Sequence, residues 1–210
     1  MVKAILFDFW GTLVENGIWS PSKQLQNILK ITLPFSEYIL RMERAMMTSS
    51  FPSLREAFLA VAAEFQKEAT EQQIEQLIGQ WNTNWMLAKP YPETLQVLKE
   101  LQKKNLLVLV SNADCFGIEK VMEKFSLSPY FSHQFLSYQK GLLKSDPQFW
   151  ELVLQEIRVP AEECLMVGDS IESDMLPAQR AGLKTVLIDH KNKREFFPKI
   201  LSLRELEGQV

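Results

Sequence analysis

Cysteine is scarce in this chain, and so are the long apolar runs typical of membrane proteins. The 210 residues include two cysteines, Cys115 and Cys164, which lie too far apart in the sequence to form a paired metal-binding or redox motif. The sequence lacks a charged start leading into an apolar segment, and it lacks an apolar run long enough to span a bilayer. These absences argue against a thiol-based site, a secretory leader and a membrane anchor, so we expect a cytoplasmic protein.

A strong net charge of either sign is also lacking. The 23 basic and 26 acidic residues give a formal charge of −3, and the two signs are interspersed. Such a surface exerts no long-range attraction on nucleic acid or on an anionic membrane. We therefore expect a small-molecule substrate, no nucleic-acid or membrane partner, and a monomer or homodimer.

What the chain does contain begins at its amino terminus. The apolar run from Val2 to Phe7 is too short for an ordinary helix and is typical of a strand buried on both faces of a parallel sheet. The run ends at Asp8, and Gly11 allows the backbone to turn away. Open α/β sheets place their chemistry at the carboxyl ends of such strands. Taken alone, this stretch does not distinguish a functional Asp8 from one that merely ends the strand.

Helical patterns follow this first strand. Helix starts near Ser20, Pro34, Ser53 and Thr70 predict four helices joined by short links, which together form a small helical bundle. The length of the chain leaves room for such an insertion beside one α/β domain. Pro90 ends the bundle and lies at the predicted hinge back into that domain.

Beyond the hinge, strands alternate with helices. Buried strands are predicted, in chain order, at 106–110, 135–136, 164–167 and 185–188. This alternation is typical of βαβ units and a parallel sheet, so the predicted fold class is α/β. We therefore divide the chain into a core domain of residues 1–14 and 90–210 and a helical domain of residues 15–89.

Polar side chains collect where the predicted strands end. Any one of them could be a turn or cap residue, but together they fall at one edge of a parallel sheet. The set comprises Asp8, Thr12, Ser111, Asn112, Asp169, Ser170 and Asp174, with Lys144 at the start of a later helix. Such a set suits phosphoryl transfer. One carboxylate attacks phosphorus, other acids hold Mg²⁺ through oxygen ligands, and a hydroxyl and a lysine offset phosphoryl charge.

The same residues resemble the motifs of the haloacid dehalogenase-like (HAD) hydrolases. That family's pattern is a nucleophilic Asp followed by x-Asp-x-Thr, a strand ending in Ser or Thr, a Lys, and Gly-Asp-x-x-x-x-Asp. In this chain the pattern reads Asp8-Phe9-Trp10-Gly11-Thr12, Ser111-Asn112, Lys144 and Gly168-Asp169-Ser170-Ile171-Glu172-Ser173-Asp174. The resemblance runs along the chain in the family's order and implies a Rossmann-like parallel sheet core with an inserted helical-bundle cap.

The resemblance also implies roles for these residues. Asp8 would be the catalytic nucleophile, with Ser111 and Lys144 as catalytic groups in contact with the phosphoryl group. Thr12 and Asn112 would bind the substrate together with Ser111 and Lys144. The metal site would consist of Asp8, the Trp10 carbonyl, Asp169 and Asp174. The implied activity is Mg²⁺-dependent hydrolysis of a small phosphate ester through an aspartyl-phosphate intermediate.

Trp10 departs from the pattern. The family's phosphatases carry at this position an Asp that protonates the leaving group and then activates water. An indole has one N–H donor and no acceptor, so Trp10 cannot perform either task. Losing a general acid/base typically costs about 10²–10⁴ in rate. We therefore expect weak phosphatase activity or a relocated acid/base, for which Glu15, Asp114 and Glu172 are the nearest candidates in the sequence.

Two other functions compete with the phosphatase. A haloacid dehalogenase uses the same Asp nucleophile, usually has an aromatic residue at the Trp10 position and needs no metal, and Arg41 lies roughly where those enzymes place a halide-binding Arg. Asp169 and Asp174 argue against it, since dehalogenases have given up that metal site. The other alternative is a catalytically degenerate protein that binds a phosphoryl ligand, and it depends on Trp10 alone. The basic run 191–194 is most simply a solvated loop.

Overall fold

A six-stranded sheet forms the centre of the protein, and every pair of neighbouring strands is parallel. The computed structural model describes residues 1–15 and 20–208, so residues 16–19 of the predicted helical domain and 209–210 of the predicted core lie outside the described residues. In spatial order the strands are β3 (His133–Leu136), β2 (Leu106–Ser111), β1 (Ala4–Phe7), β4 (Cys164–Gly168), β5 (Lys184–Ile188) and β6 (Lys199–Ile200). The predicted α/β class is confirmed.

The first strand, β1, lies between β2 and β4 and is buried on both faces. Ile5 and Phe7 belong to the apolar cluster on one side of the sheet, whereas Ala4 and Leu6 belong to the cluster on the other side. This is the physical reason why the run is apolar throughout: successive side chains of a strand point to opposite faces, and here neither face is exposed to water. The central position of β1 places Asp8 in the middle of the sheet's carboxyl edge.

Between β1 and β2, four helices pack around an apolar cluster of their own. They are α1 (Pro21–Ile28), α2 (Phe35–Met47), α3 (Leu54–Glu64) and α4 (Glu71–Leu87). Thr70 and Gln73 form a reciprocal capping box at the start of α4, as the sequence predicts. Tyr38 and Met42 of α2 are fully buried in the cluster beside Phe58 of α3.

The helices that cover the sheet alternate with its strands. They are α5 (Thr94–Leu101), α6 (Ile118–Lys124), the single turn α7 (Ser137–Lys140), α8 (Pro147–Ile157) and α9 (Leu176–Arg180). The sequence patterns did not reveal α7 or the short edge strand β6. They also did not reveal a π-helical turn over Ile171–Met175 that precedes α9. Among the described helices, none combines the length and the apolar composition that crossing a membrane requires.

Candidate functional site

Asp8 lies directly after β1, at the bottom of a cleft. Its side chain is 8% exposed, and Lys144 Nζ lies 2.5 Å from its Oδ1. Ser111 Oγ donates to Oδ1 at 3.4 Å, and Thr12 Oγ1 donates to Oδ2 at 3.5 Å. Ser111 ends the neighbouring strand β2, and Gly11, with φ of 78°, turns the backbone so that Thr12 folds back onto Asp8. The structure therefore places these predicted side chains around one carboxylate.

Lys144 connects the carboxylates at this edge of the sheet. Its buried ammonium forms ion pairs with both Asp8 and Asp174. The backbone holds the side chain in place, because the Lys144 N–H donates to Asn112 Oδ1 at 2.9 Å and its carbonyl accepts from Trp150 Nε1 at 2.7 Å. Burial disfavours the charged form, but Asp174 and Asp8 outweigh that effect and raise the pKa of Lys144. It is therefore a fixed positive charge beside Asp8.

Three carboxylates converge beside this lysine, in a group that could hold a cation. One oxygen from each of Asp8, Asp169 and Asp174 lies within 4.8 Å of the others. Burial raises the pKa of Asp8 and of Asp169, and the neighbouring Asp174 raises both further. Mg²⁺ prefers oxygen ligands such as these carboxylates. A cation among them would also offset their mutual repulsion. The role of the Trp10 carbonyl as a further metal ligand stays a prediction.

Gly168, the last residue of β4, lies directly against Asp174. A Cβ atom added at Gly168 would lie 2.3 Å from Asp174 Oδ2, which is too close for any side chain. Asp174 itself lies in the π-helical turn, and its Oδ2 accepts from the backbone N–H of Ser170 at 3.0 Å. The Gly-Asp motif therefore has a steric reason here, because glycine lets the second acid reach the edge of the sheet.

Arg194 reaches the acidic group from the opposite side. Its Nη2 lies 3.2 Å from Asp169 Oδ2, and its backbone N–H donates to Asp189 Oδ2 at 2.6 Å. Lys191 and Lys193 also line the cleft. The basic run is thus an exposed loop, as expected from the sequence, and it also lines the cleft. Sequence reasoning missed Arg194 because the residue comes after β5 and reaches the site only through the return of the loop toward β6.

The cleft above Asp8 has a volume of about 940 Å³ and is closed on one side by residues of α1, α2 and α4. This volume lies within the range of about 300–1,000 Å³ that is typical of small-molecule sites. Trp10 lines it, with its half-buried ring edge-on to Phe9 at a centroid distance of 5.0 Å. The position that carries an acid in the family's phosphatases is thus occupied by an aromatic wall.

The three acids nearest in sequence do not replace that group well. Asp114 is committed to structure, because its Oδ2 accepts from Trp81 Nε1 at 3.0 Å and its Oδ1 accepts the backbone N–H of Phe116 at 2.7 Å. Glu15 and Glu172 line the cleft but are exposed.

A carboxylate that sequence reasoning missed lies in the same cleft. Glu43 of α2 is 9% exposed, and its Oε2 accepts from Asn112 Nδ2 at 2.8 Å and from Ser173 Oγ at 3.4 Å. Burial raises the pKa of Glu43 to about 7. A signal was present in the sequence: Glu43 falls between Ile39 and Met47 at helical spacing, and all three line the cleft.

Arg41, the candidate halide-binding residue, is engaged elsewhere. Its Nε lies 2.8 Å from Glu64 Oε1, its Nη2 donates to the Glu64 carbonyl at 2.9 Å, and its guanidinium lies over the ring of Phe65. These contacts hold Arg41 against the end of α3, and it is not among the described residues that line the cleft. The sequence argument for a halide site at Arg41 therefore has no counterpart in the structure.

Comparison with known proteins gives a consistent result. A family model described as haloacid dehalogenase-like hydrolase matches residues 2–182. The glyceraldehyde 3-phosphate phosphatase of Methanocaldococcus jannaschii is 31% identical over 114 residues, which cover 53% of this chain and 50% of that protein. The protein of the same name from Pyrococcus abyssi is 29% identical over 202 residues, which cover 89% of this chain and 81% of that protein. Apart from that longer match, the chain spans about half the length of the curated relatives it matches.

Among solved structures, a magnesium-bound structure of YfnB from Bacillus subtilis is similar along the whole chain. The TM-score is 0.68 with 22% identity, covering 99% of this chain and 98% of that chain. At this level of identity the similarity concerns the fold.

Proposed function

The chain belongs to the haloacid dehalogenase-like hydrolase family, and from that membership we propose that it is a Mg²⁺-dependent phosphatase that acts on a small phosphate ester. The observation that carries the proposal is the buried Asp8 carboxylate, which has Lys144 and Ser111 on one oxygen and lies beside Asp169 and Asp174. The phosphatase names of the curated relatives support the same reaction class. We further propose a cytoplasmic location and the division into a core domain and a helical cap of residues 15–89.

In this proposal Asp8 attacks phosphorus in line with the leaving group and becomes phosphorylated. Ser111 and Lys144 donate hydrogen bonds to phosphoryl oxygens, and Thr12 and Asn112 orient the groups around them. Mg²⁺, held by the acidic group and the Trp10 carbonyl, would supply positive charge between the carboxylates and the phosphoryl oxygens. The fixed charge of Lys144 reduces the repulsion between Asp8 and an anionic substrate.

The test uses 4-nitrophenyl phosphate, whose good leaving group needs little protonation. Wild-type protein with Mg²⁺ should release 4-nitrophenol, and intact-mass measurement after an acid quench should show the added mass of one phosphoryl group. Asp8→Asn should abolish both signals, because an amide is not a nucleophile of this kind. Removing Mg²⁺ with a chelator should reduce both by at least about 100-fold, in line with loss of several kcal/mol of charge stabilisation.

Two outcomes would overturn the proposal. Metal-independent release of halide from 2-chloropropionate, with no turnover of phosphate esters, would instead identify a dehalogenase. Binding of inorganic phosphate without turnover of any ester would identify the catalytically degenerate binding protein.

A further inference from the structure

A buried carboxylate of the helical insertion faces the reaction cleft where Trp10 supplies no acid. We infer that Glu43 is the general acid and base of the reaction, donating a proton to the leaving-group oxygen and later accepting one from water. The inference rests on the proposed phosphatase function, and it concerns how that reaction proceeds without an Asp at position 10.

Glu43 lies on the side of the cleft toward which the leaving group extends. In an in-line displacement the leaving group lies on the side of phosphorus opposite to the nucleophile. Asp8 lies at the sheet edge at the bottom of the cleft, so the leaving group must extend away from the sheet toward the insertion helices. Glu43 belongs to α2, one of the helices on that side, and it lines the same cleft as Asp8.

Glu43 is held against the core by hydrogen bonds to Asn112 and Ser173. Asn112 Oδ1 accepts the backbone N–H of Lys144, which turns the amide so that its Nδ2 donates to Glu43 Oε2. Ser173 Oγ donates to the same oxygen. One residue further along α2, Arg44 Nη2 lies 2.5 Å from Asp146 Oδ1, and this ion pair joins the helix to the start of α8. Asn112 follows Ser111 in the sequence and contacts Lys144, and both of those residues contact Asp8. Glu43 is thus positioned by a residue next to the groups that surround Asp8.

One carboxylate oxygen of Glu43, Oε1, is available for proton transfer. Both hydrogen bonds to Glu43 fall on Oε2, and among residues 1–15 and 20–208 no donor contacts Oε1. An acid that exchanges a proton with the substrate and with water needs an oxygen without a fixed partner. The three acids nearest to Trp10 in the sequence lack this combination, since Asp114 is occupied on both oxygens and Glu15 and Glu172 are exposed.

The protonation state supports this role. Burial raises the pKa of Glu43 to about 7, with Asp174 adding to the rise while Lys144, Asn112 and Ser173 oppose it. A group with a pKa near the working pH can both give up and regain a proton, which is the property that a general acid/base needs.

The proton balance closes over the two steps. In the first, an Asp8 oxygen bonds to phosphorus, the bond from phosphorus to the leaving oxygen breaks, and the Glu43 acid protonates that oxygen to release an alcohol. In the second, the Glu43 carboxylate takes a proton from water as the water oxygen bonds to phosphorus. The bond from phosphorus to Asp8 then breaks, inorganic phosphate leaves, and both residues return to their starting states.

The experiment compares wild type with Glu43→Gln on two esters, phenyl phosphate and 4-nitrophenyl phosphate. Glutamine keeps the acceptor for Asn112 and Ser173 but has no acidic proton. The variant should lose about 10²–10⁴-fold in kcat/KM on phenyl phosphate, whose leaving group needs protonation, and less than about 10-fold on the nitrophenyl ester. Phosphorylated Asp8 should also accumulate on the nitrophenyl ester, because the second step has lost its base.

Two further variants complete the design. Glu37→Gln makes the same chemical change on the exposed face of α2 and should behave as wild type on both esters. Glu43→Asp keeps an acid on a shorter side chain, so its ratio of kcat/KM between the two esters should stay close to that of wild type. This variant tests the role even if Glu43→Gln folds poorly.

Each remaining outcome decides the matter. Equal losses on the two esters would show that Glu43 only positions the site, and unchanged activity would place the acid/base elsewhere. Either result would overturn the inference while leaving the phosphatase intact, provided that wild type still forms phosphorylated Asp8. If wild type forms no such intermediate from either ester, the proposed function fails and the inference fails with it.

Discussion

Trp10 is the residue in which this cleft differs most from the pattern of its family. The indole lines the cleft near Asp8, and the carboxylate of Glu43 from α2 lines the same cleft. If Glu43 has taken over proton transfer, the two positions are functionally exchangeable in part. An acid restored at position 10 should therefore matter most when Glu43 is disabled.

This exchange can be tested with Trp10→Asp. In a Glu43→Gln background, the substitution should raise kcat/KM on phenyl phosphate by about 10-fold or more, within the range that general acid/base groups supply. In the wild-type background the gain should be much smaller. Trp10→Asn is the matched control, because it opens the same space without adding an acid, and it should rescue nothing. Equal rescue by Asp and Asn would show that the bulk of Trp10, and not its missing acid, limits the reaction.

Most of the motif residues could be predicted from the sequence alone because Asp8, Ser111 and Asp169 lie where readable strands end. Asp8, Ser111 and Lys144 come together through local sequence and sheet order, as predicted. Glu43 and Arg194 could not be predicted in the same way. Their places depend on how α2 and the loop before β6 dock against the core, and that docking leaves only weak traces in the sequence.

At the scale of secondary structure, the carboxyl end of β4 and the π-helical turn after it form a single functional unit. Buried strands were predictable from apolar runs of the right length, and the four insertion helices from their start signals. The π-helical turn was not, since a one-residue expansion of a helix has no distinctive composition. Its consequence is chemical, because the turn carries Asp174 back against Gly168.

Gly168→Ala tests this unit. An alanine Cβ would meet Asp174 Oδ2 at 2.3 Å and Asp174 Cβ at 2.7 Å, so either the strand end or the turn must shift. We expect Mg²⁺ affinity, measured by titration calorimetry, to fall about 10-fold or more, as it does when groups supporting a ligand are disturbed. Gly79→Ala is the control. It lies within α4 with no atom within 4 Å of the new Cβ, and it should leave Mg²⁺ binding unchanged. Wild-type affinity in Gly168→Ala would show that Asp174 does not support the cation.

At the scale of the whole molecule, two apolar clusters flank the sheet and a third fills the insertion. Several polar contacts join the insertion to the core, through Glu43 with Asn112 and Ser173, Arg44 with Asp146, and Trp81 with Asp114. Sequence patterns identify apolar faces well but carry little information about polar contacts between distant segments. The organisation of each part was therefore predictable, whereas the way the parts meet was not.

Because a carboxyl group is buried where these parts meet, the stability of the molecule should depend on pH through Glu43. Burial raises its pKa from 4.5 to about 7 on folding. Its contribution is therefore fully present below about pH 4.5, is lost as pH rises toward 7, and stays constant above that. The shift corresponds to at most about 3 kcal/mol. Glu43→Gln removes this dependence, whereas Lys144 and Asp174, the charged groups that face Glu43, remain in both proteins.

The measurement is the free energy of unfolding in urea at pH 5, 6, 7 and 8, for wild type and for Glu43→Gln. The stability of wild type relative to Glu43→Gln should decrease as pH rises, and the decrease should level off above about pH 7. Asp8 and Asp169 also change protonation with pH, but they are present in both proteins. Subtracting one unfolding free energy from the other therefore cancels their contribution. Glu37→Gln, altered on an exposed part of the same helix, should follow the wild-type curve. Parallel curves for wild type and Glu43→Gln would mean that Glu43 stays ionised in its buried position, and an ionised carboxylate could not protonate a leaving group.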